Sequence, residues 1–278
     1  MSSMLQRITE RSRQLAQSQT FWTAIASVVA LVALFRPELE SALRRPELRL
    51  DVGSEIRIAQ EAGHLFVAPF LRMENDGSTP LKLTKLELLL ALEGGTTLLL
   101  EAENIFADKD ATANYGFLPW LGLTLKPNDE WLRQVTFSAQ RSTDDERRIL
   151  ALKQRVLAYW EDVGKLEKQG KTQIPDANDD LRKALLSEFE RNFRLTRGSH
   201  QLYFGAYDES GKLVSVTAYA FVVFDEQLKY LRDSVSNLTT AKPRPIDENS
   251  PSRATIRITK GTSKSPKTEF EKLRGKVG

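Results

Sequence analysis

The chain has 278 residues, 41% hydrophobic and 28% charged, and 40 Lys and Arg against 37 Asp and Glu give a net charge of +3. This is the composition of an ordinary folded protein. Zero cysteines exclude disulfides and thiol chemistry, and two histidines make a structural zinc site unexpected.

The first element in chain order is apolar. No charge occurs between Arg13 and Arg36, and the 22 residues Gln14 to Phe35 would make a helix about 33 Å long, against roughly 30 Å of bilayer hydrocarbon. From Phe21 to Phe35 only Thr23 and Ser27 are polar. The expectation is an uncleaved transmembrane helix over 14–36, after an N-terminal flank at 1–13. The lipid bilayer is its partner along 14–35, Trp22 and Phe35 are its anchors, and Arg13 and Arg36 bracket it. A cleaved signal would need small residues where Leu34, Phe35, Arg36 and Pro37 follow. A helix buried in a soluble core is the competing reading. Arg7, Arg11 and Arg13 on one flank against Arg36, Arg44, Arg45 and Arg49 on the other do not orient the span.

After a linker at 37–46 the pattern becomes period two. Leu48, Leu50 and Val52, then Ile56 and Ile58, mark a half-buried strand. "HLFVAPFLRMEN" follows, then an Asp76-Gly77 turn and "LKLTKLELLLAL" from Leu81, whose alternation is imperfect. Gly94-Gly95 turns the chain into "TTLLLEA", and "GLTLKPNDEWLRQVTFSA" reads as strand, turn, strand. Helical spacing then interrupts. Thr143 with Glu146 forms a capping box, and Ile149, Leu152, Val156, Trp160, Val163 and Leu166 make an apolar stripe that Gly170 closes. Leu181, Leu185, Phe189 and Phe193 mark a second helix, so 142–195 reads as an inserted helical hairpin. "SHQLYFGAYDESGKLVSVTAYAFVVF" returns to two strands around a hairpin loop, and Asp225 caps a short helix to about Ser234.

The strand hairpin "FLRMENDGSTPLKL", the edge "LKPNDEWLRQVTF" and the closing pair "HQLYFGAYDESGKLVSVTAYAFVVF" resemble an immunoglobulin-like antiparallel β-sandwich, over roughly residues 47 to 224. The Cys–Trp–Cys framework of antibody domains is absent. The expected fold is therefore mainly β, with the sandwich domain and its helical insertion at 47–235. Residues 236–278 read as a flexible basic tail, since 241–278 hold ten Lys or Arg and four Asp or Glu, are rich in Pro, Ser and Thr and are poor in large apolar residues. "ATIRIT", 254 to 259, is the one stretch there able to add to a sheet edge.

Candidate chemistry is sparse. His64 and His200 start strands with no visible partner, and an exposed strand-end position is expected of both. Asp176, Asn178 and Asp180 have calcium-loop spacing, but Leu181 stands where the loop needs Gly and Ser187 where it needs Glu. Helix capping by Asn178 or Asp179 accounts for them more simply. Asn237-Leu238-Thr239 matches a glycosylation sequon only weakly. No Gly-rich phosphate loop, Gly-x-Ser-x-Gly elbow or metalloprotease helix occurs. No catalytic residue, metal ligand or cofactor is assigned.

The interaction surface expected instead comprises Tyr115, Phe117 and Trp120 in "NYGFLPWLGL", and Val156 and Trp160 on the helical stripe. Each set has an alternative role inside the core. The expected function is a non-enzymatic, membrane-anchored binding or scaffolding module, with a protein partner or a second copy as its ligand. The other class weighed is a membrane-bound effector or sensor. The basic tail suits anionic lipid, nucleic acid is not an expected partner, and Arg44, Arg45 and the tail favour the cytoplasmic side.

Overall fold

A computed structural model describes residues 22–23, 25–31, 33–34, 47–106, 117–170, 179–239 and 253–277. The period-two runs form strands β1 (Leu48–Glu61), β2 (His64–Asn75), β3 (Leu81–Ala91), β4 (Thr97–Phe106), β5 (Phe117–Pro119), β6 (Leu123–Leu125), β7 (Glu130–Ser138), β8 (Gly198–Asp208), β9 (Leu213–Val223) and β10 (Arg253–Lys260). Eight of them close a ring in the order β4-β7-β2-β1-β10-β9-β8-β3, with β3 returning to β4. The short β5 and β6 add to β4 and β3.

This closure corrects the immunoglobulin-like sandwich. A sandwich stacks two sheets with separate hydrogen-bond networks. Here β4 pairs with β3 through Leu88↔Leu100 and with β7 through Ile105↔Val135. On the other side β10 joins β1 to β9, through Ile56↔Ile256 and Ile258↔Phe221. An eight-stranded barrel has an interior just wide enough for side chains to fill. Ile56, Ile58, Val67, Leu71, Met73, Leu86, Leu88, Leu100, Phe137, Phe204 and Ile256 fill it. The imperfect alternation of β3 is a bulge between Leu83 and Lys85. It lets Leu81 and Leu83, then Leu86, Leu88 and Leu90, all bury, and turns Lys85, Glu87 and Leu89 outward.

The flexible basic tail is also corrected. Ala254, Ile256 and Ile258 of β10 enter the core. The helix after it, Pro266–Arg274, lies on the outer face of β3, β8 and β9, where Phe270 is fully buried against Leu89, Tyr203, Tyr207, Leu213 and Ala218. Basic residues do not prevent this, because Arg257 projects to solvent from the other face of β10 and Lys260 is exposed at the strand's end. The domain therefore extends past 235 to include β10 and this helix.

The transmembrane helix is not supported. Among the described residues no helix is long and apolar enough to cross a membrane. Of the stretch 14–36, residues 22–23, 25–31 and 33–34 are described, and all of them are helical. Trp22 is exposed there; Arg13, Phe35 and Arg36 lie outside the described residues. The single-pass localisation and its cytoplasmic sidedness fall with the span.

The helical insertion forms as α1 (Thr143–Lys168) and α2 (Asp179–Asn192), joined by α3 (Asp225–Asn237) and, at the far end, α4 (Pro266–Arg274). The N-cap of α1 is Ser142 and not Thr143: its hydroxyl accepts from Asp145 N–H at 3.1 Å and donates to the Asp145 carboxylate at 2.6 Å. The capping box is thus shifted one residue upstream. Gly170 follows α1 with φ +78°, as its position predicts. The layer is pinned to the barrel at the β1–β2 turn. Gly63 has φ +86°, and a side chain there would meet Phe189 O at 2.3 Å; Asn192 Nδ2 donates to Ala62 O at 3.1 Å.

Between β1 and β9 the ring is bridged along only part of its length. β10 pairs with Glu55–Ala59 of β1 and Tyr219–Phe221 of β9, then leaves the ring at Gly261. Beyond that point a seam runs between Leu48–Val52 and Ser215–Ala218.

Candidate interaction surfaces

The exposed apolar residues collect where β5 meets the wall of the barrel. Phe117 lies opposite Phe106, with ring centroids 5.7 Å apart and edge to face. Ile105 pairs with Val135, so one step along each strand brings Phe106 level with Gln134 on β7, and Gln134 pairs with Phe70 on β2. Phe117, Phe106, Gln134 and Phe70 thus form one row across four strands of the outer wall. Leu132 follows two residues from Gln134 on the same face. Phe70, Phe117 and Leu132 are exposed, while Gln134 is buried between them and donates to Ala68 O at 3.3 Å. At the rim, Leu118 is exposed and Leu121 is 88% exposed. The Arg72–Glu130 ion pair, 2.8 Å, borders the patch. Among the described residues β5 pairs only with β4, so its other edge is free.

The sequence-derived residues separate here. Phe117 belongs to the patch, and Tyr115 lies outside the described residues. Trp120 packs inward: its Nε1–H donates to Thr84 O at 3.2 Å, and its ring meets Trp131 edge to face at 6.2 Å, closing the barrel end. Val156 and Trp160 are 7% and 8% exposed, buried against Leu181, Leu185 and Phe189 of α2 and Val235 of α3, and Trp160 Nε1–H donates to Leu238 O at 2.9 Å. That stripe is consumed within the chain. Sequence reasoning missed Phe70 and Leu132, which sit singly in strands and form a patch only through register.

Two polar clusters also went unread. Glu87, fully buried on the outer face of β3, accepts from Tyr207 Oη at 2.6 Å, from Arg274 at 2.8 and 3.1 Å, and from Lys85 Nζ at 2.8 Å. Lys85 also pairs with Glu101. Burial alone would raise the Glu87 carboxyl pKa; the hydrogen bonds from Arg274, Lys85 and Tyr207 outweigh it and hold it below the usual range. Nearby, Tyr203 Oη donates to Glu269 at 2.8 Å, and burial with this carboxylate pushes the phenol up to about 12. Both links hold α4 to the barrel, and both titrate. A depressed carboxyl contributes stability above its unfolded pKa, about 4.3, and loses it as pH falls through the folded value. A raised phenol contributes below its unfolded pKa, about 10, and loses it as pH climbs toward about 12. Protection of the α4 amides, measured against the unstructured exchange rate at the same pH, is therefore expected to fall below about pH 4 and above about pH 10. Glu87→Gln should shrink the acid limb, leaving the part that Glu269, held low by Tyr203 and Ser263, contributes; an acid limb unchanged in that variant would contradict the assignment.

The second cluster lies between the β1–β2 turn and the helices. Glu61 pairs with Arg141 and Lys153, both at 2.6 Å, and the buried Glu188 pairs with Arg148 and Arg191. His64 is half-buried beside it, its pKa pressed down by burial and by Arg141 against the pull of Asp145, Glu188 and Glu61. His200 is 1% exposed and not at a solvent edge: Nδ1 accepts from Glu93 N–H at 3.1 Å, so Nε2–H donates to Thr196 O at 2.7 Å. It ties the β3–β4 turn to the segment before β8. Both ring nitrogens of His200 are thus spent on backbone groups. Among the described residues no three His, Asp or Glu side chains converge as metal ligands.

No protein-family model matches the chain, and no curated protein matches it. Among solved structures, one provisionally described as an ApaA protein from Bordetella pertussis aligns over 63% of this chain and 94% of its own, at 8% identity and a TM-score of 0.27.

Proposed function

We propose that this chain is a non-enzymatic binding module that holds a protein partner on the outer wall around Phe70, Phe117 and Leu132 and the rim at Leu118 and Leu121. The observation carrying this reading is the row of Phe117, Phe106 and Phe70 on β5, β4 and β2, joined across β7 by the buried Gln134 with the exposed Leu132 beside it, bordered by the Arg72–Glu130 ion pair and ending at a strand edge with no partner among the described residues. Exposed patches of that kind mark interaction sites, and strand edges recruit further strands. The polar clusters support the reading from the other direction. Glu87, Glu61 and Glu188 are saturated by cations that hold α4, α1 and α2 in place, so their chemistry is committed to the fold.

The test is a photo-crosslinking residue placed at Leu121 or Leu132 in cells, with Leu157 on the exposed face of α1 as control. Adducts of one mass are expected from the first two positions and not from the third. Phe70→Glu with Phe117→Glu should reduce them at least tenfold, since anchor residues at interface centres contribute more than about 1–2 kcal/mol. Thermal unfolding should hardly change, because both side chains already face solvent. An adduct of twice the chain mass would identify the partner as a second copy. Adducts unaffected by the double variant, or absent, would refute the reading.

A further inference from the structure

We propose a second binding site, separate from the apolar wall: the cavity between α4, the strap 261–264 and the outer face of β8 and β9 takes a small organic phosphate. The cavity measures about 570 Å³, within the roughly 300–1,000 Å³ of small-molecule sites. Its floor follows from strand register. Ala91 pairs with Gln201, and Tyr203 with Ala218, so these side chains of β3, β8 and β9 lie side by side on the outer face. The two alanines leave space that α4 does not fill, because Phe270 sits beyond Tyr203, over Gly205. The strap makes one side. It leaves β10 at Gly261, whose N–H donates to Ala218 O at 2.8 Å, and carries Lys264 to the cavity.

The other side is one face of α4. Glu269, Lys272, Leu273 and Lys276 recur at spacings of three and four, so they share a face, and all four line the cavity. The turn runs on past the helix end, Lys276 N–H donating to Leu273 O at 3.0 Å, which keeps Lys276 beside Lys272. Like charges at that spacing repel each other. The helix C-terminus offsets part of the repulsion, since its carbonyls favour cations. It does not account for Lys264, which comes from the strap and lines the same space.

Lys264, Lys272 and Lys276 thus reach one cavity from two segments, and among the described residues none of the three makes an ion pair. Nearby lysines are committed elsewhere: Lys260 pairs with Asp51 at 3.5 Å, and Lys267 donates to Leu213 O at 3.1 Å. Among the described lining residues Glu269 is the one acid, and its carboxylate accepts from Tyr203 Oη at 2.8 Å. Hydrogen bonds from Tyr203 and Ser263, then the charge of Lys272, hold its pKa below the usual range against a smaller effect of burial. Three lysines against one glutamate give the described lining a charge of +2. A single carboxylate would answer half of that. A phosphate monoester, at about −1.5 to −2 at neutral pH, answers nearly all of it, and an ammonium binds phosphate well as a point charge. The phosphate therefore goes to the lysines, and the apolar lining of Ala91, Ala218 and Leu273 takes the carbon skeleton that carries it.

The probes are ADP and pyrophosphate, each added to the full chain at physiological salt. A ligand that binds only while α4 is docked slows the opening of α4 by the factor 1 + [L]/Kd, so at ten times its Kd ADP should slow exchange of the α4 amides about elevenfold. ADP should bind more tightly than pyrophosphate, because its organic part adds contact with the apolar lining. Lys264→Gln, Lys272→Gln and Lys276→Gln together should weaken both probes more than tenfold and leave the unfolding midpoint unchanged, since all three side chains are exposed. Lys229→Gln, on the exposed side of α3, should change neither affinity. Phe70→Glu with Phe117→Glu should leave ADP binding unchanged, which separates this site from the wall. Displacement of ADP by vesicles containing phosphatidic acid would identify a lipid headgroup as the source of the phosphate; no displacement would identify a soluble molecule. The proposal is overturned if neither probe protects α4, if the triple variant binds as the parent does, or if pyrophosphate binds as tightly as ADP.

Discussion

Removing residues 253–278 is expected to abolish cooperative unfolding, although composition marks this stretch as dispensable. β10 supplies Ala254, Ile256 and Ile258 to the interior and hydrogen-bonds to a strand on each side. Its loss would open the ring along β1 and β9 and expose Ile56, Ile58 and Phe221. A milder version separates the strand's two faces. Ile256→Ala should lower stability by about 2–5 kcal/mol, the range for emptying a buried aliphatic site. Thr255→Ala, one residue away on the solvent face, should stay within about 0.5 kcal/mol. Chemical denaturation of the three proteins, followed by tryptophan fluorescence, decides it. A truncated chain unfolding with the parent midpoint and slope would show that the ring closes without β10.

Gly205→Val is expected to release α4 from the barrel wall while leaving the barrel folded. The Phe270 ring lies directly over Gly205: a Cβ built there would stand 2.6 Å from its Cζ and 2.9 Å from its Cε2. Neither can give way easily, since Gly205 is fixed in register with Val216 and Glu87. Phe270→Ala should act similarly from the other side, by as much as about 3–5 kcal/mol for a buried Phe. That loss is capped by the docking free energy of α4, because a local element can open without the whole domain. The cap gives a sharp test. Combining the two substitutions should cost scarcely more than either alone, with α4 amides equally unprotected in all three variants. Additive losses would mean that Gly205 and Phe270 act separately.

Much of the strand layout was legible because side-chain alternation is local. The runs at 48–58, 64–75 and 199–224 became β1, β2, β8 and β9. Closure was not legible, because nothing near Leu100 indicates that it lies opposite Leu88, nor near Ile256 that it lies opposite Ile56. The bulge in "LKLTKLELLL" was visible as a broken alternation, but only its pairing with β8 shows which residues turn outward. β10 was visible only as "ATIRIT", a stretch able to add to a sheet edge, because the Pro-, Ser- and Lys-rich residues around it hide the long-range pairing that seats it between β1 and β9. On the helices, the stripe through Val156 and Trp160 was clear, yet one apolar face does not reveal whether α2 or a second molecule covers it. The wall patch had no sequence signal apart from Phe117, since Phe70 and Leu132 become neighbours only through β2–β7 register.

The pairing of Ile56 with Ile256, 200 positions later, bears on how the protein is made. A ribosome adding about 5–20 residues per second needs roughly 10–40 s to pass from one to the other. Throughout that interval the nascent β1 has a hydrophobic edge and no strand to complete it. Native closure thus waits for late translation, and the growing polypeptide spends that time as a substrate for chaperones or for pairing with neighbouring chains on the same message.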